Sequence, residues 1–368
     1  DDLSKKIFTG DFKNIDERNQ IYQEATEISL TESIRLWIVN IVNNYPSNKN
    51  LVGITNDLSN GPKSIWTLRE AYVPGKTELT IGNLWVWTER TIWNPIGGFG
   101  DIYSTDIWQN IYDPALWTNP FTGIPIPFRA TFDVDTAGPN SKLTIPNNAF
   151  SWDASNGRWK TVTPGSQATS KVTFDYSKFI DSNWHHGQPI TMADIIYSLY
   201  QTFDLTYNED KSKIEFATAT VNKPYLDSFK GFRIVDDHTL EVYLDYWHFI
   251  PEQIAQYAQP TSISMPWEVL AAMDNLVFNK RKAAYSDTAA EKFQVPWINL
   301  VSKNDARLVR NVLLEFSRNN YLPESVFTVN GQNLVTQNEA NARYNSASSW
   351  FDEYELLIIS NGPYMLTK

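Results

Sequence analysis

From Asp16 to Ser29 apolar side chains recur three and four positions apart. Ile21, Tyr22, Ala25 and Ile28 fall on one face behind Asp16-Glu17-Arg18, and this spacing predicts a helix. Thr31 to Val39 then turns continuously apolar and ends at Tyr45-Pro46, which predicts a short buried strand. Leu51-Val52-Gly53-Ile54-Thr55 predicts another, and residues 57–64 a loop. Leu79 to Trp87 alternates as a strand does and would carry Trp85 and Trp87 to one face. Residues 94–100 read as loop, Asp106 to Tyr112 as a short helix, and 118–170 as brief strands among many Pro, Gly, Asn and Thr residues. Lys171 to Tyr176 predicts a strand. Thr191-Met192-Ala193-Asp194 has the capping-box pattern and predicts a helix to about Thr206. Phe232–Val235 and Thr239–Leu244 flank Asp236-Asp237-His238 as a hairpin. Helices follow near 251–258, 266–284, 302–319 and 336–354. Leu356–Ile359 reads as a buried strand, Gly362-Pro363 as a turn, and the last residues as the opening of a second strand. Strands interleaved with helices make the fold class α/β, in one large domain or two small ones. A chain that stops inside such a unit, and begins without Met or an apolar leader, is expected to be a piece of something longer.

Composition narrows the chemistry. The 368 residues carry 31 Lys+Arg against 42 Asp+Glu, a net charge of −11. Such a surface repels phosphate backbones, no run of five or more Lys/Arg offsets it, and a nucleic-acid partner is not expected. The absence of Cys excludes disulfides, Cys-ligated metals and thiol nucleophiles. No apolar stretch approaches the roughly 18 residues of a membrane span. The 14 Trp exceed what a core requires, and indole faces suit ligands with flat apolar surfaces.

Catalytic patterns are missing. The four His residues, at 185, 186, 238 and 248, show no H-x-x-x-H spacing, so no metal site is expected. Gly97-Gly98-Phe99-Gly100 lacks the strand and helix that a dinucleotide fingerprint needs. Neither a G-x-S-x-G elbow nor a P-loop occurs. A carboxylate pair for glycoside hydrolysis stays open, because spacing along the chain does not report proximity. Trp85, Trp87, Trp93, Trp108 and Trp117 crowd a segment of strand ends and loops, where small-molecule clefts form.

A sharper signal lies at 183–199. Asn183-Trp184-His185-His186-Gly187-Gln188-Pro189-Ile190-Thr191-Met192-Ala193-Asp194-Ile195 resembles the W-H-D-G-x-P-h-T-A-x-D-V signature of extracellular solute-binding proteins of family 5, the oligopeptide- and dipeptide-binding components of ABC importers. Trp93-Asn94-Pro95 with Tyr112-Asp113-Pro114-Ala115-Leu116, the segment Phe232–Leu240, and Asn361-Gly362-Pro363-Tyr364 resemble three further family segments in the family's order. His186 stands where the signature has Asp, and Asn361 where the family has Thr. The N-terminal stretch from Leu3 through Ala25 resembles a helix that comes late in the family, so the resemblance implies a fragment of a longer archaeal- or bacterial-type member with tandem or permuted order.

The resemblance implies a type II periplasmic-binding-protein-like lobe: a mixed β-sheet flanked by helices, with a small β-rich subdomain near 113–182. Residues 1–76 would pack as a returning segment on a main lobe of 77–368. The implied function is capture of a short peptide outside the cell, or at the periplasm, for delivery to ABC permease subunits, with the membrane reached only through an anchor outside this chain. An oligosaccharide is the alternative ligand. A carbohydrate-active enzyme with an aromatic cleft and a structural cell-surface domain are the competing classes. No cofactor and no catalytic residue is expected. Position past strand ends or at the aromatic turn 246–249 makes Trp87, Glu89, Arg90, Trp93, Tyr112 and Trp247 the expected ligand contacts.

Overall fold

The computed structural model describes residues 2–33, 35–36, 38–39, 42–83, 88 and 90–367. At its centre lie β1 (Thr131–Thr136), β2 (Phe150–Asp153), β3 (Arg158–Thr161), β4 (Ser170–Asp175), β5 (Phe229–Ile234) and β6 (Thr239–Leu244), in the spatial order β1-β4-β6-β5-β2-β3. Every pair is antiparallel, which corrects the mixed sheet expected from the sequence. The cause is local: β2–β3 and β5–β6 are hairpins, and β4 meets β1 and β6 head to tail. The segment near 113–182, expected as a small β-rich subdomain, contributes β1 to β4 to this one sheet.

Register explains the two faces. Val172 lies opposite Val242 and Phe174 opposite Leu240, all four buried. The alternate positions form a polar face, where Arg233 forks onto its cross-strand partner Glu241 at 2.6 and 2.7 Å and Lys171 reaches Asp135 at 2.6 Å.

Around the sheet lie α1 (Ile65–Glu70), α2 (Ile102–Ile111), α3 (Met192–Tyr207), α4 (Trp267–Asp274), α5 (Lys303–Arg318) and α6 (Gln337–Tyr354). The capping box that predicts α3 is formed, with the Thr191 N–H donating to the Asp194 carboxylate at 2.9 Å. Beyond that cap α3 is buried almost all round, as a core helix must be. Its side chains share one apolar cluster with the sheet, and Trp267 extends the cluster edge-on to Phe327 and Tyr344. The helix expected over 266–284 ends sooner: α4 passes into a π-type turn at Asn275–Asn279. Lys280-Arg281-Lys282 follow, with Arg281 left-handed at φ 55°, a conformation that cannot continue the helix.

The expected strands near the N-terminus are not formed among the described residues. Leu36 and Ile38 stand 80% and 86% exposed, residues 51–55 make one bridge, Val52 to Tyr72, and 79–83 join no ladder, while 84–87 of that expected strand lie outside the described residues. An apolar run becomes a strand only where a neighbour offers an edge, and no sheet edge reaches these segments. Leu356–Ile359 is buried as expected but forms no ladder; Leu357 donates to the Leu300 carbonyl instead. The described residues of 1–76 touch the rest at several points, among them Phe12, edge-on to His248 and Phe249, Leu58 on the Pro120 carbonyl, and α1 on α2. Among the described residues no helix is long and apolar enough to cross a membrane.

Candidate ligand-binding cleft

A cleft of about 430 Å³ opens beside the apolar face of the sheet. Leu240 and Val242 of β6 with Ile195 and Leu199 of α3 form its floor. One wall is the segment 109–118 at the end of α2, the other the segment 256–263, and the mouth is residues 57–66. That volume lies within the range of small-molecule sites, and the lining mixes apolar and polar side chains.

Aromatic rings line the first wall and mouth. Trp66 stacks on Trp117 at 4.5 Å between ring centres, nearly parallel, and its indole N–H donates to the Thr118 carbonyl at 3.1 Å. Ser64 makes this possible by accepting from the Thr67 N–H and starting α1, which places Trp66 and Arg69 on one helical face. The Arg69 guanidinium stands 4.9 Å over Trp117, donates to the carbonyls of Gln109 (3.1 Å) and Tyr112 (2.8 Å), and pairs with Asp113. Arg129 reaches the other oxygen of Asp113 at 2.5 Å. The two guanidiniums hold the buried Asp113 carboxylate and, through it, the wall.

Polar residues share the lining with these rings: Gln109, Gln256, Gln259, Asn60, Thr261 and Ser262. Asp57 is the one carboxylate among the described lining residues, and it already accepts from the N–H groups of Ser59 and Asn60 at 2.7 and 3.0 Å. No Lys, Arg or His is among them.

The structure treats the six expected contacts unequally. Tyr112 lines the cleft, stacked on Trp108 at 5.3 Å; burial pushes its hydroxyl pKa up against the opposing pull of Arg69, so it stays a neutral donor. Trp93 is 1% exposed and packs edge-on against Phe99 and Trp108, so it supports the wall from behind. Arg90 is exposed in a turn and Trp247 is half-buried against the core; neither lines the cleft. Trp87 and Glu89 lie outside the described residues. Sequence reasoning missed Trp66 and the three glutamines. The Ser64 cap ahead of Ile65-Trp66 was the legible signal for Trp66; nothing in the sequence marks the glutamines.

Residues 183–195 lie in the frame behind these elements. Trp184 is buried, Gly187 takes the left-handed turn at φ 87°, and His186 sets Nε2 2.6 Å from Glu268. Arg343 of α6 joins Glu268 (2.7 Å) to Asp194 (2.5 Å) and donates to the Pro189 carbonyl at 2.8 Å. Among the described residues no group of three or more His, Asp or Glu side chains is placed to hold a metal ion. No protein-family model matches this chain, and no curated protein matches it.

Proposed function

We propose that this chain is a ligand-capturing lobe of an extracellular solute-binding protein that serves an ABC importer, and that its ligand is a short oligosaccharide. The observation that carries the reading is the lining of the cleft: an indole pair, a neutral tyrosine, carboxamides and hydroxyls, with one carboxylate and no cation. Sugar rings present flat C–H faces to indoles and hydroxyls to carboxamides. A short peptide, the first ligand expected from the family resemblance, carries a charged group at each end. Its carboxylate would have no counter-charge in this lining, and buried unpaired charge is costly. The single lining carboxylate also favours binding over glycoside hydrolysis, which uses two.

The delivery role rests on the resemblance. The segments that carry the resemblance at Asp113, His185 and Asn361, distant in sequence, are joined by hydrogen bonds in the fold. Thermal denaturation against β-linked oligosaccharides and against mixed short peptides tests the ligand. A sugar at 100 times its Kd should add roughly 2.7 kcal/mol and raise Tm, while the peptides leave it unchanged. A rise with peptides alone would overturn the sugar reading.

A further inference from the structure

Three residues near the end of the described chain, Ser360-Asn361-Gly362, tie the two walls of the cleft together. Ser360 Oγ donates to the carbonyl of Ser264, next to the lining residue Ile263, at 2.6 Å. On the opposite side Asn361 exchanges two bonds with the backbone of Asp113, accepting from its N–H at 3.0 Å and donating to its carbonyl at 3.2 Å. The Gly362 N–H donates to the Ile111 carbonyl at 2.8 Å. Contact there is so close that a Cβ on Gly362 would stand 2.5 Å from that oxygen.

One residue grips this tripeptide with its backbone and its ring. The His185 backbone N–H donates to the Ser360 carbonyl at 2.8 Å. Its Nδ1 accepts from the Ser360 N–H at 3.3 Å, and its Nε2 lies 2.9 Å from the Gly362 carbonyl. A carbonyl accepts only, so Nε2 must carry the proton; an N–H donor faces Nδ1, so Nδ1 must not. The ring also stacks against the buried Trp350 at 6.2 Å.

We infer that His185, as its neutral Nε2–H tautomer, is the positioning residue of the cleft, and that protonation at Nδ1 releases Ser360–Gly362 and loosens both walls. A proton on Nδ1 sets two N–H donors head to head, which removes the bond to Ser360 and leaves its N–H unpaired. The groups facing the ring agree with a neutral imidazole. Burial lowers the His185 pKa below its ordinary value, the Gly362 bond raises it, the neighbouring His186 lowers it, and Asp113 raises it. Asp113 is largely neutralised by Arg69 and Arg129, and His186 is occupied by Glu268. Because the folded-state pKa is lowered, this contribution to stability is complete above the ordinary imidazole value. It is lost as pH falls from there towards the folded value. The consequence for ligand affinity rests on the reading of the cleft as the ligand site; the latch itself does not.

Hydrogen exchange of the whole chain without ligand tests the latch, read on peptides covering 108–115 and 358–365. Between about pH 7.5 and pH 5, protection in both, corrected for intrinsic rates, should fall by roughly tenfold or more. His185→Gln keeps a donor and an acceptor without a titrating charge and should abolish that fall. Gly362→Ala should expose both peptides already at neutral pH. Flat protection in the unsubstituted chain, the same fall in H185Q, or full protection in G362A would each overturn the latch. Imidazole nitrogen shifts provide a reading that needs no variant: an Nδ1–H tautomer at pH 7.5 contradicts it. An intact latch in a chain that binds no sugar would sink the functional reading alone.

Discussion

Arg343→Met is expected to destabilise the chain by about 3–5 kcal/mol, the range for removing one partner from a buried ionic group. Arg343 is the only cation bonded to both Asp194 and Glu268 among the described residues, and all three side chains are essentially buried. Its guanidinium also lies 5.4 Å from the Trp267 ring centre and caps the Pro189 carbonyl. Met matches the apolar length but leaves Asp194 without its counter-charge and Glu268 with His186 alone. The pH dependence carries a signature. Burial pushes the Glu268 pKa up, but Arg343 and His186 outweigh it and hold it at about 2. A lowered carboxylate contributes stability above its unfolded value, lost as pH falls towards 2. Asp194, whose pKa burial raises despite Arg343, works in the opposite direction. Without Arg343 the Glu268 carboxyl rises and takes up a proton on folding. The gap in denaturation midpoint between variant and parent should therefore narrow from pH 7 to about pH 4. A gap that widens in acid would show that Glu268 draws its stabilisation from elsewhere.

Trp93→Ala should cost a similar amount, about 3–5 kcal/mol, through the cavity it leaves. Trp93 sits behind the first wall: its ring meets Trp108, Trp108 stacks on Tyr112, and Tyr112 faces the cleft. Its backbone also joins Asn299 and Leu300. The expected readout is a lower Tm with a cooperative transition. Ligand affinity should fall only as the folded fraction falls. An unchanged Tm with lost affinity would return Trp93 to the role expected from its sequence position, as a direct ligand contact.

How much of this was legible depends on the range of the forces involved. The helices α3, α5 and α6 lie where the sequence places them, and for α3 the capping box at Thr191 is a local signal. The β5–β6 hairpin was visible for the same reason. Sheet order was not: β1, β4 and β6 come from positions far apart in the chain, and antiparallel pairing at that distance leaves no periodic trace. The apolar run after Thr31 carries a strand's composition, yet composition cannot supply the neighbouring edge. The site followed the same rule. Aromatic crowding between positions 85 and 117 drew attention to a segment of which Tyr112 and Trp117 line the candidate cleft. Burial separated Trp93 from Trp66, and only the fold brings Gln256 and Gln259 into one lining with Gln109.

The central claim is that the cleft beside Trp66 and Trp117 holds a sugar. Titration calorimetry of β-linked oligosaccharides into the unsubstituted chain and into Trp66→Ala, side by side, tests it most directly. Trp66 is partly exposed on a short helix, so its loss should leave the fold intact. Saturable binding is expected, weaker by about thirtyfold in the variant, as for an aromatic anchor worth about 2 kcal/mol. Equal affinity in the two proteins, or no binding to either under conditions where both are folded, would contradict it.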